Sequence, residues 1–348
     1  MKTGGMKKLS CLTAIVMILL AAAACFAADE AKEPLKIAYF VSELSNTFHQ
    51  ARFAAAKQYG LDKYGIEVYA FDGKSDSAVM TENIDQIVAQ GMDMAVLQIW
   101  DAEAAKPGVQ EAIDKGVYIA NFFGPFGQDI NMPVIRNDEA SSSKAMGAAA
   151  AAQWKKDNPD KPVVFVQIGW PDHTEVRSGR TDPFREGVLS VDPNAVDLGV
   201  LDGSAGADAA KQIMADLCTQ RPEVNVIYSQ ASNLTVGVMA ALQQAGRGKL
   251  QDGKLTTEVV ASVDCDQVEL RQIYDPGNSL KMSLFLPPKD TSETIIDVLV
   301  QMHEGKIKQI SDEPQEFFAK SYPVVFWATS AQEAVDLYNN QFNDNFSL

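Results

Sequence analysis

The sequence predicts an α/β fold made of two doubly wound parallel-sheet domains, joined by a hinge with chain crossovers. From residue 35 onward, short apolar runs alternate with segments of helical spacing, which is the pattern of parallel β-α-β units. The chain has 348 residues, which suits two domains of ordinary size. The pattern also restarts once, after an alanine-rich helix predicted over 140–156. Two sheets therefore fit the length better than one very wide sheet.

The predicted strands are short runs that are mostly rich in Val, Ile, Phe and Tyr. They cover residues 35–41, 66–71, 94–99, 117–121, 163–168, 196–201, 224–229, 257–263 and 279–285. After the first strand, Ala51, Ala55 and Tyr59 recur at helical spacing, and Gly60 is placed to end that helix. The same spacing recurs over 80–88.

The restart sets the predicted domain boundaries. The N-terminal domain is predicted to contain residues 29–136 and 286–320, and the C-terminal domain residues 137–285 and 321–348. The tail beyond Lys306 has a strand-like run at 322–327 and a helical pattern to about residue 340. It is therefore long enough to cross between the two domains.

Residues 1–28 are predicted to be a secretory signal peptide. Two lysines precede an apolar run over 12–24, and these are the charged and apolar regions of such a signal. Cleavage after Ala27 would release a soluble protein, whereas the run AAAC at 22–25 is a weak lipoprotein signal that would place a lipid on Cys25. We favour the soluble product, and either product lies outside the cytoplasm.

The chain is strongly acidic. Cleavage after Ala27 removes three lysines and changes the formal net charge from −16 to −19. Nucleic acid and anionic lipid surfaces would repel such a chain, so neither is expected as a partner. Two cysteines remain, Cys218 before one predicted strand and Cys265 after the next. These positions are at opposite edges of a sheet, so we expect no disulfide bond.

Polar and aromatic side chains follow the predicted strands, at the edge where open α/β sheets bind ligands. The stretch VSELSNTFHQAR at 41–52 connects the first strand to the first helix and is too polar for a buried connection. Such an edge favours a cleft for a small polar ligand, held by hydrogen bonds and by rings that stack on its flat faces. The candidate ligand-binding residues are Glu43, Asn46, Phe48, Trp100, Asp101, Phe122, Trp170, Arg180, Asn233, Asp264 and Phe285.

Arg177 and Arg180 lie three residues apart on a segment that runs from Thr174 into Phe184. A helix there would put both arginines on one face. One guanidinium could then offer its planar fork of N–H groups to ligand oxygens.

Motifs for catalysis are absent from the sequence. It has no dinucleotide fingerprint, no phosphate-binding loop and no nucleophile elbow. His49, His173 and His303 are not paired at a metal-ligand spacing. Asp264 and Asp266 suit helix capping and ligand hydrogen bonding better than acid-base chemistry. We therefore expect no metal and no cofactor.

The stretch IAYFVSELSNTFHQARFAA at 37–55 resembles the opening of the ribose-type periplasmic solute-binding proteins of bacterial ABC transporters, which have the type I periplasmic binding protein fold. Further similar stretches follow in the same order: AQGMDMAVLQIWDAEA, QASNLTVGVMAALQQAG and VVASVDCDQ. The resemblance extends over nearly the whole mature chain. It implies a protein of the periplasm that binds its ligand between two domains.

Position by position, the resemblance implies ligand contacts for four residues. Asn46 and Phe48 would touch the ligand from the first loop. Arg180 would reach it from the second domain, and Asp264 would hydrogen-bond it after a late strand.

At other positions the chain departs from the ribose-type pattern. After the fourth strand, where those proteins have an Asp-Arg pair, this chain has Asn121-Phe122-Phe123-Gly124. Ala231 replaces a ligand Asn, with Asn233 nearby, and Phe285 replaces a ligand Gln. Several hydroxyl-binding groups are therefore apolar here. This favours a ligand that is flatter or less hydroxylated than ribose, or a sugar that is held mainly by stacking.

We therefore expect a monomeric binding protein, not an enzyme, that captures a sugar or sugar-like ligand by hinge closure and delivers it to the permease of an ABC importer. One alternative is a sensory adaptor that carries a signal such as an autoinducer to a chemoreceptor or sensor kinase. Another is an exported enzyme that uses Asp264, Asp266 and His173, which would have to lie within about 3 Å of one another or be bridged by a water. A DNA-binding repressor of the same fold is set aside, because a signal sequence stands where its DNA-binding helices would be.

Overall fold

The computed structural model describes residues 33–126, 130–322, 324–326 and 328–348. The predicted signal peptide therefore lies outside the described residues, as do Pro323 and Trp327 of the strand-like tail run. All elements below belong to one compact unit, Lys36–Leu348.

The strands are β1 (Lys36–Val41), β2 (Glu67–Asp72), β3 (Met94–Leu97), β4 (Tyr118–Phe122), β5 (Val134–Arg136), β6 (Val164–Gly169), β7 (Val196–Asp202), β8 (Val226–Ser229), β9 (Leu250–Gln251), β10 (Lys254–Leu255), β11 (Val259–Asp264), β12 (Leu280–Phe285), β13 (Glu316–Phe318) and β14 (Val325–Phe326).

The α-helices are α1 (Thr47–Tyr59), α2 (Ser77–Ala89), α3 (Ala102–Asp114), α4 (Glu139–Asp157), the short α5 (Thr174–Val176), α6 (Asp182–Val191), α7 (Ala207–Gln220), α8 (Ser232–Gln244), α9 (Gln267–Tyr274), α10 (Pro288–His303) and α11 (Ala331–Phe342). Two π-helical turns, Gly60–Tyr64 and Arg177–Thr181, extend α1 and join α5 to α6.

Within the described ranges, the strands form two six-stranded sheets and one small hairpin. The first sheet has the order β13-β5-β4-β3-β1-β2, and the second has the order β14-β12-β11-β8-β6-β7. Their ladders are parallel except for β14, which runs antiparallel to β12. Strand order reverses between β1 and β3 and between β6 and β8, and such switch points are where open sheets bind ligands.

The chain passes between the sheets at three places in the described residues. It leaves the first sheet after β5 and enters the second through α4. It returns after β12 through α10, which packs on α1 and on the first sheet. It crosses again between β13 and β14. The predicted fold class, with two doubly wound domains and chain crossovers, is therefore confirmed.

The central strands are buried on both faces, which explains their continuous apolar runs. All residues of β3, β6, β8 and β12 are buried. Burial of each large aliphatic or aromatic side chain stabilises the fold by about 1.5–3 kcal/mol. Strands of this kind belong in the middle of a parallel sheet that is covered by helices on both sides.

Helices α4 and α6 cross in backbone contact. A Cβ atom on Gly147 would lie 2.1 Å from the carbonyl oxygen of Phe184, and a Cβ on Gly187 would lie 2.0 Å from that of Lys144. The approach seats the Phe184 ring on Tyr228, with ring centroids 4.3 Å apart. It also positions the π-helical turn that precedes α6.

Each predicted strand is present, with ends that shift by one to two residues in most cases. The prediction missed β5, β9, β10 and β13, because two or three residues are too few to show a pattern. The strand-like tail run contains β14, and α11 follows it.

The first α-helix ends at Tyr59 with Gly60 as its C-cap, as predicted, but helical backbone does not stop there. The chain continues through a π-helical turn and ends at Gly65, which has φ +65°. The predicted stripe of Ala51, Ala55 and Tyr59 is only half-buried, and the buried face lies one residue further along.

Two further expectations concern export and cysteines. In the portion that the structure covers, no helix is both long and apolar enough to cross a membrane. Cys218 and Cys265 are free thiols, and the Cys265 thiol is buried.

Candidate ligand-binding site

Backbone strain marks the carboxyl ends of the central strands. Phe123, directly after β4, has φ +87°, while Asp264 and Cys265 at the end of β11 have φ +91° and +56°. A non-glycine residue at positive φ costs roughly 1–2 kcal/mol. Such strain persists where surrounding contacts enforce it, and it concentrates at binding sites. These residues place the candidate site at this edge of the sheets.

Asn46 caps α1 in the loop after β1. Its Oδ1 accepts hydrogen bonds from the amides of Phe48 at 2.8 Å and His49 at 3.4 Å. Glu43 is partly exposed in the same loop and accepts a hydrogen bond from Ser45 Oγ at 2.8 Å. Phe48 points inward and belongs to a buried cluster that otherwise consists of Leu286 and residues of the second domain. The first loop is therefore fixed by its cap and reaches the second domain through one ring.

Arg52 lies one turn further along α1 and is fully buried. Its Nε–H donates to Tyr39 Oη at 3.3 Å, and its Nη1 donates to Gln98 Oε1 at 3.0 Å and to His49 Nδ1 at 3.4 Å. The guanidinium stacks on the ring of Phe122, 3.7 Å from the ring centroid. Its Nη2 has no hydrogen-bond partner among the described residues.

The protons around Arg52 can be assigned. A guanidinium only donates, so His49 Nδ1 is an acceptor and Nε2 carries the ring proton. Nε2–H then donates to Ser42 Oγ at 2.7 Å, which leaves the hydroxyl proton of Ser42 for another acceptor. Burial, helped by the charge of Arg52, lowers the pKa of His49 to about 3, so the ring is neutral. The cluster therefore has two unused donors, Ser42 Oγ–H and Arg52 Nη2.

Phe123 lies between the two domains. Its ring meets that of His173 edge-on with centroids 6.0 Å apart, and the Arg180 guanidinium lies 5.7 Å from its centroid. Beside it, a Cβ atom on Gly124 would lie 2.2 Å from Glu175 Cγ. Glu175 Oε2 lies 3.1 Å from His173 Nδ1, and this contact lowers the pKa of Glu175. The two domains are thus in contact at the carboxyl end of β4.

Arg180 is buried and paired. It donates to both carboxylate oxygens of Glu139, at 2.6 and 3.3 Å, and to the carbonyl oxygen of Gln230 at 2.7 Å. Burial is the largest single influence and lowers the pKa of Arg180, but the charge and hydrogen bonds of Glu139, together with Tyr228 and Asp264, raise it overall. The prediction that Arg177 and Arg180 lie on the same helix face is wrong. The π-helical turn rotates Arg177 outward, where it pairs with Asp182 at 3.2 Å.

The side chain of Gln230 ties together the loops of the second domain. Its Nε2 donates to Gln167 Oε1 at 3.2 Å and to Thr181 Oγ1 at 2.7 Å, and its Oε1 accepts from the amide of Trp170 at 3.2 Å. A Cβ atom on Gly169 would lie 1.9 Å from Gln230 Oε1, so glycine is required there. Trp170 is half-buried at this edge.

Asp264 binds the first turn of α8. Its Oδ2 accepts from the amide of Ser232 at 3.0 Å. Behind it, the buried carboxyl of Glu269 accepts hydrogen bonds from Ser262 Oγ and, at 2.9 Å, from Ser283 Oγ. Burial raises the pKa of Glu269 well above its usual value.

The three groups of the enzyme hypothesis have separate partners. Asp266 caps α9 by accepting from the amide of Glu269 at 2.9 Å, Asp264 is bound to α8, and His173 is paired with Glu175. No hydrogen bond joins any two of these three groups in the described part of the chain. These three groups therefore do not hydrogen-bond to one another directly.

Two candidates lie at the start of α3 and face solvent. Trp100 is 48% exposed. Asp101 is exposed and caps the helix by accepting from the amide of Ala104 at 3.0 Å. Their assignment to the site stays a prediction.

Two further candidates differ in burial. Asn233 is exposed on the first turn of α8. Phe285 is buried in the core of the second domain, edge-on to Tyr322 and Phe342 at 5.9 and 6.3 Å between centroids. The ring of Phe285 thus completes a core cluster of its own domain.

The sequence interpretation missed Arg52, Glu139 and Gln230. Arg52 lies between Phe48 and Ala56 on the buried face of α1. A charged residue at such a position is unusual and could have been recognised in the sequence. Glu139 has the pattern of an ordinary acidic residue in the first turn of a helix, where such residues are common. Gln230 has no distinguishing pattern.

A family model described as periplasmic binding protein domain matches residues 22–307 of this chain. The D-ribose/D-allose-binding protein of Pseudomonas aeruginosa is 21% identical over 227 residues, covering 63% of this chain and 69% of that protein. The ribose import binding protein of Escherichia coli is 22% identical over 254 residues, covering 70% of this chain and 77% of that protein.

Solved structures agree in fold. A galactofuranose binding protein has a TM-score of 0.71 at 17% identity, covering 89% of this chain and all of that one. The arabinose-binding component from Shewanella sp. ANA-3 has a TM-score of 0.72 at 15% identity, covering 90% and 99% of the two chains. At such identities the likeness shows the fold alone. Together with the match over most of its length, it shows that this chain belongs to the periplasmic binding protein domain family.

Proposed function

We propose that this protein captures a small sugar or sugar-like solute between its two domains and delivers it to the permease of an ABC importer. The observation that carries the proposal is the meeting of both domains at the carboxyl ends of their strands. Phe123 and Gly124 of the first domain face Arg180, His173 and Glu175 of the second. Contacts of this kind would stabilise a closed, ligand-bound state.

Relatives support the class of solute. The curated relatives are named for ribose and allose, and the similar structures include proteins for arabinose and galactofuranose. The site supplies rings for stacking at Phe122 and Phe123 and hydrogen-bonding groups at Ser42, Arg180 and Asp264. The proposal includes a location in the periplasm and a monomeric state, and it assigns no catalytic step to these residues.

The first experiment is a thermal-shift screen of the purified protein with sugars, sugar acids, polyols, amino sugars and nucleosides. A ligand at a hundred times its dissociation constant should stabilise the fold by about 2.7 kcal/mol. This corresponds to a shift in Tm of roughly 5–10 °C for a protein of this size. A complete lack of shifts across these classes would contradict the proposal.

A pair of matched variants tests the site. Asp264 and Asp252 both have positive φ, a conformation that Asn also tolerates. Asp264→Asn should remove most of the shift, whereas Asp252→Asn, in the exposed β9–β10 turn, should retain it. If both variants bind as the unmodified protein does, the proposed site is wrong.

Delivery of the solute to the ABC importer is tested by an uptake experiment in cells. Deletion of the gene should abolish high-affinity uptake of the radiolabelled ligand, and a plasmid copy should restore it. If uptake is unchanged while the response of a chemoreceptor or sensor kinase to the ligand is lost, the protein is a sensory adaptor.

A further inference from the structure

Arg52 differs in the charge of its partners from two other arginines of the described chain, the buried Arg180 and the partly buried Arg247. Arg180 is held by Glu139 at 2.6 Å and Arg247 by Glu258 at 2.8 Å. Arg52 is fully buried, yet its partners are the neutral side chains of Tyr39, His49 and Gln98, and no carboxylate of the described residues lies within ion-pair distance of it. Burial of a charge without an opposite charge is strongly unfavourable.

Deprotonation of Arg52 does not remove its unpaired charge. Burial lowers the pKa of Arg52, while the neighbouring Tyr39 oxygen raises it. Arginine begins from so high a pKa that it stays protonated inside proteins. The charge of Arg52 therefore persists, and stacking on Phe122 compensates only part of its lost hydration.

The unused donors of this cluster lie at the ligand-binding edge of the first sheet. Ser42 directly follows β1, Gln98 directly follows β3 and Phe122 is the last residue of β4. Gln98 is partly exposed, so the cluster reaches the surface of the cleft on that side. Both side chains are buried in this structure, and Ser42 Oγ–H and the two N–H groups of Arg52 Nη2 have no acceptor among the described residues.

We propose that Arg52 and Ser42 bind a carboxylate group of the solute, so that the protein takes an acidic sugar, a uronate or aldonate, in preference to a neutral one. This inference rests on the proposed function and names its ligand class. A carboxylate supplies one negative charge and several acceptor sites, which matches one unpaired guanidinium and one hydroxyl donor.

A phosphate group fits less well. Phosphates are usually bound by free amides at helix N-termini. At the start of α1, the amides of Phe48 and His49 already donate to Asn46 Oδ1. Arg180, the cation beside Phe123, already has its charge matched by Glu139.

Matched pairs of ligands test the inference without any variant. Calorimetric titration at pH 7 would compare D-galacturonate with D-galactose, D-glucuronate with D-glucose and D-ribonate with D-ribose, with D-ribose 5-phosphate as a further probe. We expect at least one acid to bind about 10- to 100-fold more tightly than its neutral partner, as is typical of a hydrogen-bonded charge.

Two variants assign the preference to Arg52. Gln98→Glu is isosteric and would place a carboxylate beside Arg52 Nη1, 3.0 Å from the present Gln98 oxygen. It should remove most of the preference for the acid and raise the Tm of the unliganded protein. Arg52→Met should also remove the preference. The control is Arg221→Met, which makes the same charge change at an exposed pair with Glu223 before β8 and should keep the preference.

The outcomes are distinct. Equal binding of acidic and neutral sugars, or a preference that survives Gln98→Glu, overturns this inference and leaves the proposed function standing. Tighter binding of the phosphate than of every sugar acid overturns the assignment of a carboxylate. Absence of binding by every acidic and neutral sugar overturns the proposed function together with this inference. If Arg52→Met does not fold, the matched pairs of ligands and the Gln98→Glu variant still test whether Arg52 binds the carboxylate.

Discussion

Glu139 and Arg180 form a buried, two-point ion pair at the junction of the two domains, with Oε2 to Nε at 2.6 Å and Oε1 to Nη2 at 3.3 Å. Glu139 is the first residue of α4, which directly follows a chain crossing. Arg180 lies in the π-helical turn and also binds the carbonyl oxygen of Gln230. The pair therefore connects the crossing segment to the candidate site.

Glu139→Gln should lower the free energy of unfolding by about 3–5 kcal/mol, because it leaves the charge of Arg180 buried without a counter-charge. Urea denaturation of the unliganded protein measures this change. Glu186→Gln, which removes an exposed partner of Lys144, should cost less than about 1 kcal/mol. Equal effects of the two substitutions would show that burial of the first pair has no energetic consequence.

Two substitutions of Phe123 should differ in stability but weaken ligand binding alike. At φ +87°, glycine avoids strain that alanine retains, so Phe123→Gly should be more stable than Phe123→Ala by about 1 kcal/mol. Both variants lose the ring that meets His173 and Arg180, and both should bind ligand at least about tenfold more weakly. Phe318→Ala, on an exposed ring of β13, is the control. Undiminished affinity in both variants would exclude Phe123 from closure.

Gly147→Ala should lower the free energy of unfolding by about 1–3 kcal/mol, because the new methyl would force α4 and α6 apart. The same substitution at Gly277, in an exposed turn where the nearest atom would lie 3.3 Å away, should change it by less than about 1 kcal/mol. Thermal or chemical unfolding distinguishes the two. Tolerance of Gly147→Ala would mean that the helices do not need backbone contact.

The buried acid Glu269 predicts a pH dependence. Its folded pKa is raised well above the ordinary value of 4.5, so the folded protein retains a proton that the unfolded chain has lost. Its contribution to stability is therefore complete below about pH 4.5 and declines as pH rises toward the raised pKa. Glu269→Gln should lack this decline when unfolding free energies are compared between pH 5 and pH 8. A parallel decline in both proteins would assign it to other groups.

The element pattern and the strand-end loops could be read from the sequence because they follow from local rules. Runs such as Ile37 to Val41 are apolar throughout, which is expected of a strand buried on both faces. The polar loop after β1 and the cap at Asn46 follow from the need to satisfy free amides at a helix start. The short strands β5 and β13 could not be read, because three residues are too few to show a pattern and β13 pairs with a strand about 180 positions away in the chain.

The sequence by itself determined the two doubly wound sheets, the order of their elements and the candidate edge for a ligand, because apolar periodicity and turn chemistry are local properties. Only the tertiary structure decided which groups meet at that edge. It showed that Arg180 is matched by Glu139 and that Arg52 lacks a carboxylate among the residues described. Charge compensation depends on distances between residues far apart in the chain, and no local pattern records those distances.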